Sequence, residues 1–199
     1  MSDAFSNDQA DLLETIADIL NQNNFRYFVT GSQASAIYGE PRFTQDIDIV
    51  LELSKEQLSQ FLKSFDSEEF YLSASAVRSA VARRGMFNLI QPVTGGKVDF
   101  IVAKDSEFDR RRMARVRHLS ISECVNAKFA SPEDVILKKM QWYKKDHSDR
   151  HVRDILGVLK VQETSIDFPY IETWLEQLSV TDVWQLIRER QKQKNPNYE

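Results

Sequence analysis

Two short stretches of the chain combine a glycine-led turn with paired carboxylates. The first is Phe28-Val29-Thr30-Gly31-Ser32-Gln33-Ala34, and the second contains Asp46 and Asp48, separated by Ile47. Successive side chains of a strand point to opposite faces, so the two acids are predicted to share one face, roughly 7 Å apart. Like charges at that distance repel by about 2 kcal/mol at an effective dielectric constant of about 20. A hard divalent cation with oxygen ligands, Mg²⁺ (or Mn²⁺), would relieve this repulsion.

Gly31 and Ser32 stand between a predicted strand and a predicted short helix. Backbone N–H groups at such a turn point outward and can bind an anion. Glycine allows close backbone approach, and the Ser32 hydroxyl can donate to a phosphate oxygen. Taken alone, the turn is also compatible with an ordinary connection, and the acid pair with a solvated strand face. Their order along the chain, however, places a phosphate-binding turn beside a carboxylate pair, which is more specific than either part.

A third carboxylate, Asp99, is the lone acid in the apolar segment Lys97–Val102. A buried carboxylate has to be paired, metal-bound or at a strand edge to avoid a desolvation cost. We predict that Asp99 is a third metal ligand and the acceptor of the proton of an attacking hydroxyl. The alternative is an edge strand on which Asp99 faces water.

Hydrophobic periodicity and capping signals predict the elements that position these residues. Helices are predicted over 7–22, over 33–38, after the capping box that begins at Ser54, and over 75–84 with Gly85 closing the last. Strands are predicted over 26–30, 46–53 and 118–121, with a hairpin formed by 86–90 and 97–102. Beyond residue 121 the pattern is helical: Ser131-Pro132-Glu133-Asp134 starts a helix in which Val135, Ile136 and Trp142 should be buried, and further helices follow near 148–161, 168–178 and 181–193.

These elements indicate an α/β (α+β) protein, with a small mixed-sheet core in residues 1–124 and a helical region in residues 125–199 packed on that core. The chain has 199 residues, of which 42% are hydrophobic and 28% charged, as in ordinary globular proteins. The formal charge of −4 excludes a protein that is basic overall. Cys124 is the single cysteine, which excludes a disulfide framework and a zinc finger. With no basic leader and no long apolar run, we expect a cytoplasmic protein without a membrane segment.

The pattern resembles the nucleotidyltransferase superfamily that shares the DNA polymerase β-type palm. Its signature, a hydrophobic residue followed by G-[GS]-x-A, then D-x-D and a later acid, is matched in order by Phe28–Ala34, Asp46/Asp48 and Asp99. Within it, the chain looks like a bacterial branch related to AbiEii-type toxins, over roughly residues 8–185. The matching motifs of that branch are Gly39-x-Pro41-Arg42-x-Thr44-x-Asp46-x-Asp48, Ser131-Pro132-Glu133-Asp134-Val135-Ile136-Leu137-x-Lys139, Trp142-Tyr143 and Arg153-Asp154-Ile155.

The resemblance implies transfer of a nucleoside monophosphate from an NTP to an acceptor hydroxyl, with release of pyrophosphate. Asp46, Asp48 and Asp99 would hold two metal ions. The residues that would bind the nucleotide are Gly31, Ser32, Arg42, Thr44 and Lys139. The implied acceptor is RNA, such as tRNA, or a protein, and an antitoxin is an implied partner of a toxin or phage-defence protein.

Several of these residues have simpler interpretations. Arg42 is compatible with a surface ion pair, and Lys139 with a lysine that extends past the core to solvent. Asp154 is predicted to orient Lys139 or a nearby arginine. The Arg-rich stretch 110–117 suits RNA phosphates, but a solvated helix face explains it better. His147 and His151, spaced like zinc ligands but with no third ligand evident, are interpreted as surface residues.

Two other classes of function remain open at this point. One is a catalytically inactive nucleotidyltransferase fold that serves as a binding or regulatory protein. The other is a structural domain with an acidic face, for which Asp46→Asn or Asp48→Asn would leave stability unchanged or raise it. Thermal stabilisation by NTP and Mg²⁺ that Asp46→Asn abolishes would favour the enzyme.

Overall fold

The structure is a computed structural model that describes residues 7–41, 44, 46–65, 68–123 and 125–194. Two residues singled out above, Arg42 and Cys124, lie outside these ranges. The helices among the described residues are α1 (Asn7–Gln22), α2 (Gly31–Tyr38), α3 (Leu58–Ser64), α4 (Ala74–Arg83), α5 (Glu107–Ala114), α6 (Pro132–Asp146), α7 (Asp149–Gln162), α8 (Phe168–Leu175) and α9 (Thr181–Lys194). The strands are β1 (Arg26–Val29), β2 (Asp46–Glu52), β3 (Tyr71–Leu72), β4 (Met86–Gln91), β5 (Gly96–Val102), β6 (Arg117–Ser120) and β7 (Asn126–Phe129).

The strands form one mixed sheet in the order β3-β4-β5-β2-β1-β7-β6. The β2–β5 and β1–β7 pairs are parallel, and the other neighbours are antiparallel. This arrangement confirms the predicted mixed α/β fold class. It also confirms the predicted hairpin, whose two strands are β4 and β5.

A cluster of phenylalanines fills the space between one face of the sheet and the helix α3. The ring of Phe61 on α3 lies 5.6 Å from Phe87 and 5.5 Å from Phe100, and these two stack on each other at 5.1 Å. Each of the three side chains is at most 2% exposed. Burial of such a ring contributes about 1.5–3 kcal/mol, so this cluster fixes β4 and β5 in the sheet.

Two of the predicted helix-capping signals are present in the structure, and a third differs. The predicted capping box is present: Ser54 N–H donates to Gln57 Oε1 over 3.2 Å, and Gln57 N–H donates to Ser54 Oγ over 3.4 Å. Ser131 caps α6, as predicted. At the end of α4, however, Arg84 rather than Gly85 has the left-handed conformation, with φ 51°.

The prediction that the chain is helical after residue 121 is wrong for Asn126–Phe129, which form β7. The segment pairs with β1 on one side and β6 on the other, and Ala127 and Phe129 are fully buried. Polar and apolar residues alternate along these four residues, but a segment this short cannot be distinguished from the start of a helix by periodicity alone. The two-residue strand β3 escaped the sequence analysis for the same reason.

The chain divides into two compact units. The first comprises Met1–Gln33 with Phe43–Ala130 and contains the sheet, and the second comprises Ala34–Arg42 with Ser131–Glu199 and contains α6–α9.

In the second unit, Asp134 is fully buried at the start of α6, where it accepts hydrogen bonds from the Ser131 and Tyr170 hydroxyls. Among the described residues, none of the helices has the length and apolarity needed to span a membrane.

Candidate active site

The turn between β1 and α2 lies directly against Asp48. Gly31 has φ +65°, and a Cβ added to it would lie 2.0 Å from Asp48 Oδ2. The Thr30 N–H donates to the backbone carbonyl of Asp48 over 2.9 Å and continues the β1–β2 pairing by one residue. Both the left-handed backbone and the close approach require a residue without a side chain. The glycine therefore brings the start of α2 next to a carboxylate.

The three acids predicted from the sequence lie on one face of the sheet. Asp46 and Asp48 are two residues apart on β2, while Ile47 between them is fully buried on the opposite face. Asp99 on β5 is the direct register partner of Asp48 across the parallel pair. Residues that pair directly point to the same side, so Asp99 stands next to Asp48. Because β5 lies between β4 and β2, the alternative of an edge strand for Asp99 is wrong.

Lys97 contributes a positive charge to this group of acids. It is the register partner of Asp46, and its Nζ lies 3.3 Å from Asp46 Oδ2 and 3.2 Å from Asp99 Oδ2. Asn88 on β4 pairs with Asp99 from the other side and donates its Nδ2 hydrogen to Oδ1 of that acid. The side chain of Asp99 is only 13% exposed, compared with 47% for Asp46. Asp99 therefore has partners on both neighbouring sides.

The surroundings of Lys97 favour its charged form. Partial burial acts to lower the pKa of its ammonium, but the hydrogen bond and charge of Asp99, and then those of Asp46, outweigh burial and raise the pKa. Neither Lys97 nor Asn88 was predicted from the sequence to belong to the site. The signal for Lys97 was present, because it lies two residues before Asp99 on the same strand and must share its face. Asn88 depends on the register of the hairpin, which the sequence does not specify to the residue.

The donor set is suited to a hard divalent cation, but its present arrangement is not that of a metal centre. Carboxylate oxygens are the ligands that Mg²⁺ and Mn²⁺ prefer. Within the described ranges, no group of three or more His, Cys, Asp or Glu side chains is placed to hold a metal ion. The ammonium of Lys97 lies between two of the three acids instead. The metal-ligand roles of Asp46, Asp48 and Asp99 therefore remain a prediction.

The other residues predicted to bind nucleotide are placed as follows. Ser32 is half-buried in the first turn of α2, and Thr44 is half-buried two residues before Asp46, where its carbonyl accepts from Gln9 Nε2. Gln33, which follows Ser32, is fully buried, and neither polar atom of its amide has a hydrogen-bond partner among the described residues. From the sequence, Gln33 was predicted only as a member of the turn.

In the second unit, Lys139 and Asp154 form a buried ion pair. Lys139 Nζ on α6 lies 2.5 Å from Asp154 Oδ2 on α7, and each side chain is 6% exposed. The predicted contact between the two residues is confirmed. The interpretation of Lys139 as a lysine that extends to solvent is wrong, because its ammonium is paired inside the unit.

Three expectations about exposure are wrong. His151, a residue of α7, is 6% exposed rather than on the surface, and its Nε2 lies 3.1 Å from Asp146 Oδ2. Trp142 is 47% exposed rather than buried, and the ammonium of Lys145 lies 4.6 Å from its ring centre. Arg112, in the stretch interpreted as a solvated helix face, is 2% exposed, with its guanidinium 4.8 Å from the Phe28 ring centre. Arg110 and Arg111 are exposed, as expected.

No protein-family model matches the chain, and a search of curated proteins finds no match either. Among solved structures, it is similar to the crystal structure of an antigenic nucleotidyltransferase-like protein from Paracoccidioides brasiliensis. The two chains are 20% identical, the TM-score is 0.56, and the similarity covers 92% of this chain and 94% of the other. The chain has a nucleotidyltransferase fold.

The antibiotic-resistance factor ANT(2'')-Ia gives the same result. Its solution structure is 11% identical with a TM-score of 0.54, covering 94% of this chain and 98% of that one. Its crystal structure in complex with adenylyl-2''-tobramycin is 12% identical with a TM-score of 0.55, covering 86% and 97%. At such identities the similarity establishes the fold, and any function has to be argued from the site.

Proposed function

We propose that the protein is a metal-dependent nucleotidyltransferase, which moves a nucleoside monophosphate from an NTP to an acceptor hydroxyl. The observation that carries the proposal is the juxtaposition of three acids and a turn. Asp48 and Asp99 stand side by side on neighbouring strands, Asp46 shares their face, and Gly31 brings the start of α2 against Asp48. The solved structure of the same fold that contains adenylyl-2''-tobramycin supports it, since that compound carries an adenylyl group on an acceptor.

Each of these residues would have its own role in such a transfer. The first N–H groups of α2 and the Ser32 hydroxyl would bind the terminal phosphates of the NTP, since a helix N-terminus favours anions. The acceptor oxygen attacks the α-phosphorus in line, the bond from that phosphorus to the bridging oxygen breaks, and pyrophosphate leaves. Asp99 would take the proton of the acceptor hydroxyl. Mg²⁺ or Mn²⁺ held by Asp46, Asp48 and Asp99 would supply positive charge to the attacking and leaving oxygens.

Arg42 and Thr44 are proposed to contact the triphosphate, whereas the contact expected for Lys139 stays a prediction, because its ammonium is paired with Asp154. The acceptor that we propose is an RNA, such as a tRNA, or a protein hydroxyl. The AbiEii-like motifs lead us to include a biological role in the same proposal. The protein would act in the cytoplasm as the toxin of a toxin–antitoxin or phage-defence system, with an antitoxin as its partner.

One observation favours a second candidate, an inactive nucleotidyltransferase fold that acts as a binding protein. Lys97 already neutralises part of the acidic group through Asp46 and Asp99. A protein that never binds a metal would be stabilised by this arrangement, because it removes the repulsion between like charges without any ligand.

Labelled nucleotides distinguish the two candidates. The protein is incubated with cell lysate, Mg²⁺ and each NTP, labelled either on the α- or on the γ-phosphorus. The proposal predicts that α-label becomes attached to one class of macromolecule, that γ-label does not, and that Asp48→Asn abolishes the transfer. Asp105→Asn, at an exposed acid paired with Arg110, is the matched control and should transfer normally. No α-label transfer with any NTP would favour the binding protein.

A further inference from the structure

Lys97 occupies the position between Asp46 and Asp99 at which a cation would balance both charges. Its Nζ lies within 3.3 Å of one oxygen of each acid. In the described part of the chain, no group of three or more His, Cys, Asp or Glu side chains is placed to hold a metal ion. An ammonium and a divalent ion at the same carboxylate oxygens exclude each other by charge and by space.

We propose that Lys97 is an internal competitor for the divalent cation: its ammonium holds Asp46 and Asp99 together in the metal-free protein and has to leave before a metal ion can be bound by the acids. This inference rests on the proposed function, since it concerns the metal site of the same reaction. It makes Lys97 a positioning residue, which acts through the acids rather than on the substrate.

The position of Lys97 makes the exchange physically reasonable. Its side chain is 35% exposed, so the ammonium can move into solvent without a large desolvation cost. Asp99 keeps its hydrogen bond from Asn88 when the lysine leaves. A flexible four-carbon stem gives the ammonium enough reach to leave without a change in the backbone of β5.

The test is a titration of the nucleotide-free protein with Mn²⁺, followed by calorimetry or by the electron paramagnetic resonance signal of free Mn²⁺. Lys97→Met is expected to bind Mn²⁺ at least about tenfold more tightly than wild type, which corresponds to about 1.4 kcal/mol. Lys97→Arg keeps the charge and should bind as weakly as wild type. Lys104→Met removes a charge from an exposed lysine beyond the end of β5 and is the matched control, with little expected effect.

Each outcome of this titration is decisive. Lys97→Gln is measured in parallel, and thermal melts establish that each variant is folded, so that a poorly folded methionine variant does not decide the result. If wild type binds Mn²⁺ and neither neutral variant binds it more tightly, the competition is refuted while the proposed function stands. If no variant binds Mn²⁺ at millimolar concentration, the competition is refuted as well, whereas the proposed function is decided by nucleotide transfer, because the phosphates of a bound NTP supply further ligands to the metal.

Discussion

Replacement of Gly31 by alanine tests whether the turn before α2 and Asp48 act as one unit. An alanine at φ +65° is strained by about 1–2 kcal/mol, because its Cβ approaches the carbonyl oxygen of the chain. Its Cβ would also lie 2.0 Å from Asp48 Oδ2 and 2.8 Å from Cγ, whereas real Cβ contacts essentially never fall below 3.0 Å. The carboxylate must therefore move by about 1 Å or more, and a displaced rotamer adds about 0.5–1.5 kcal/mol.

Gly95 provides a matched control in the turn between β4 and β5. Its φ is +71°, but a Cβ there would meet nothing within 4 Å. Gly95→Ala should therefore cost only the backbone strain of about 1–2 kcal/mol, and Gly31→Ala about 1.5–3.5 kcal/mol when the displacement of Asp48 is included.

Urea unfolding followed by circular dichroism measures both costs, and Mg²⁺-dependent NTP binding reports on the site. We expect Gly95→Ala to bind nucleotide as wild type does and Gly31→Ala to lose binding. The reasoning is refuted if Gly31→Ala costs no more than Gly95→Ala and retains nucleotide binding, because the turn would then not constrain Asp48.

Three further predictions concern the second unit. Asp154→Asn leaves the buried ammonium of Lys139 without its carboxylate and should lower the free energy of unfolding by about 3–5 kcal/mol. Asp182→Asn, at an exposed pair that solvent screens, should lower it far less. Equal losses in urea titrations would contradict this. Burial lowers the pKa of His151 below 6.5 despite its contact with Asp146. Because the imidazole then binds a proton more readily in the unfolded chain than in the folded protein, falling pH favours unfolding. The stability that His151 contributes is therefore complete above about pH 6.5 and is lost as the pH falls. Unfolding measured between about pH 5 and 8 should show a shallower loss for His151→Gln than for wild type, and an identical slope would exclude this histidine as a cause. Ser131→Ala removes the cap of α6 and a hydrogen bond to a buried acid, and should cost about 1–2 kcal/mol by the same assay; a loss below about 0.5 kcal/mol would show that the cap is dispensable.

The elements that depend on local signals could be predicted from the sequence. The capping box at Ser54, the serine cap of α6 and the β4–β5 hairpin each arise from residues close together in the chain, and all are present. The strand β7 could not be predicted, because its four residues are strand only through pairing with β1 and β6. Pairing between distant segments leaves no local pattern.

The candidate site shows the same division between local and distant information. The shared face of Asp46 and Asp48 follows from the alternation of side chains along one strand. The position of Asp99 beside Asp48 depends on the parallel register of β2 and β5, which are separated by more than forty residues in the sequence. The burial of Arg112 and His151 likewise depends on tertiary contacts, which outweigh the tendency of charged and polar residues to be exposed.

Calorimetric titration with each NTP, with and without Mg²⁺, tests most directly whether the acids and the turn form one nucleotide site. Wild type and Asp105→Asn should bind at least one NTP only when Mg²⁺ is present, and Asp48→Asn should lose that binding while it remains folded. Binding that is independent of Mg²⁺, or that Asp48→Asn retains, would contradict the proposed site.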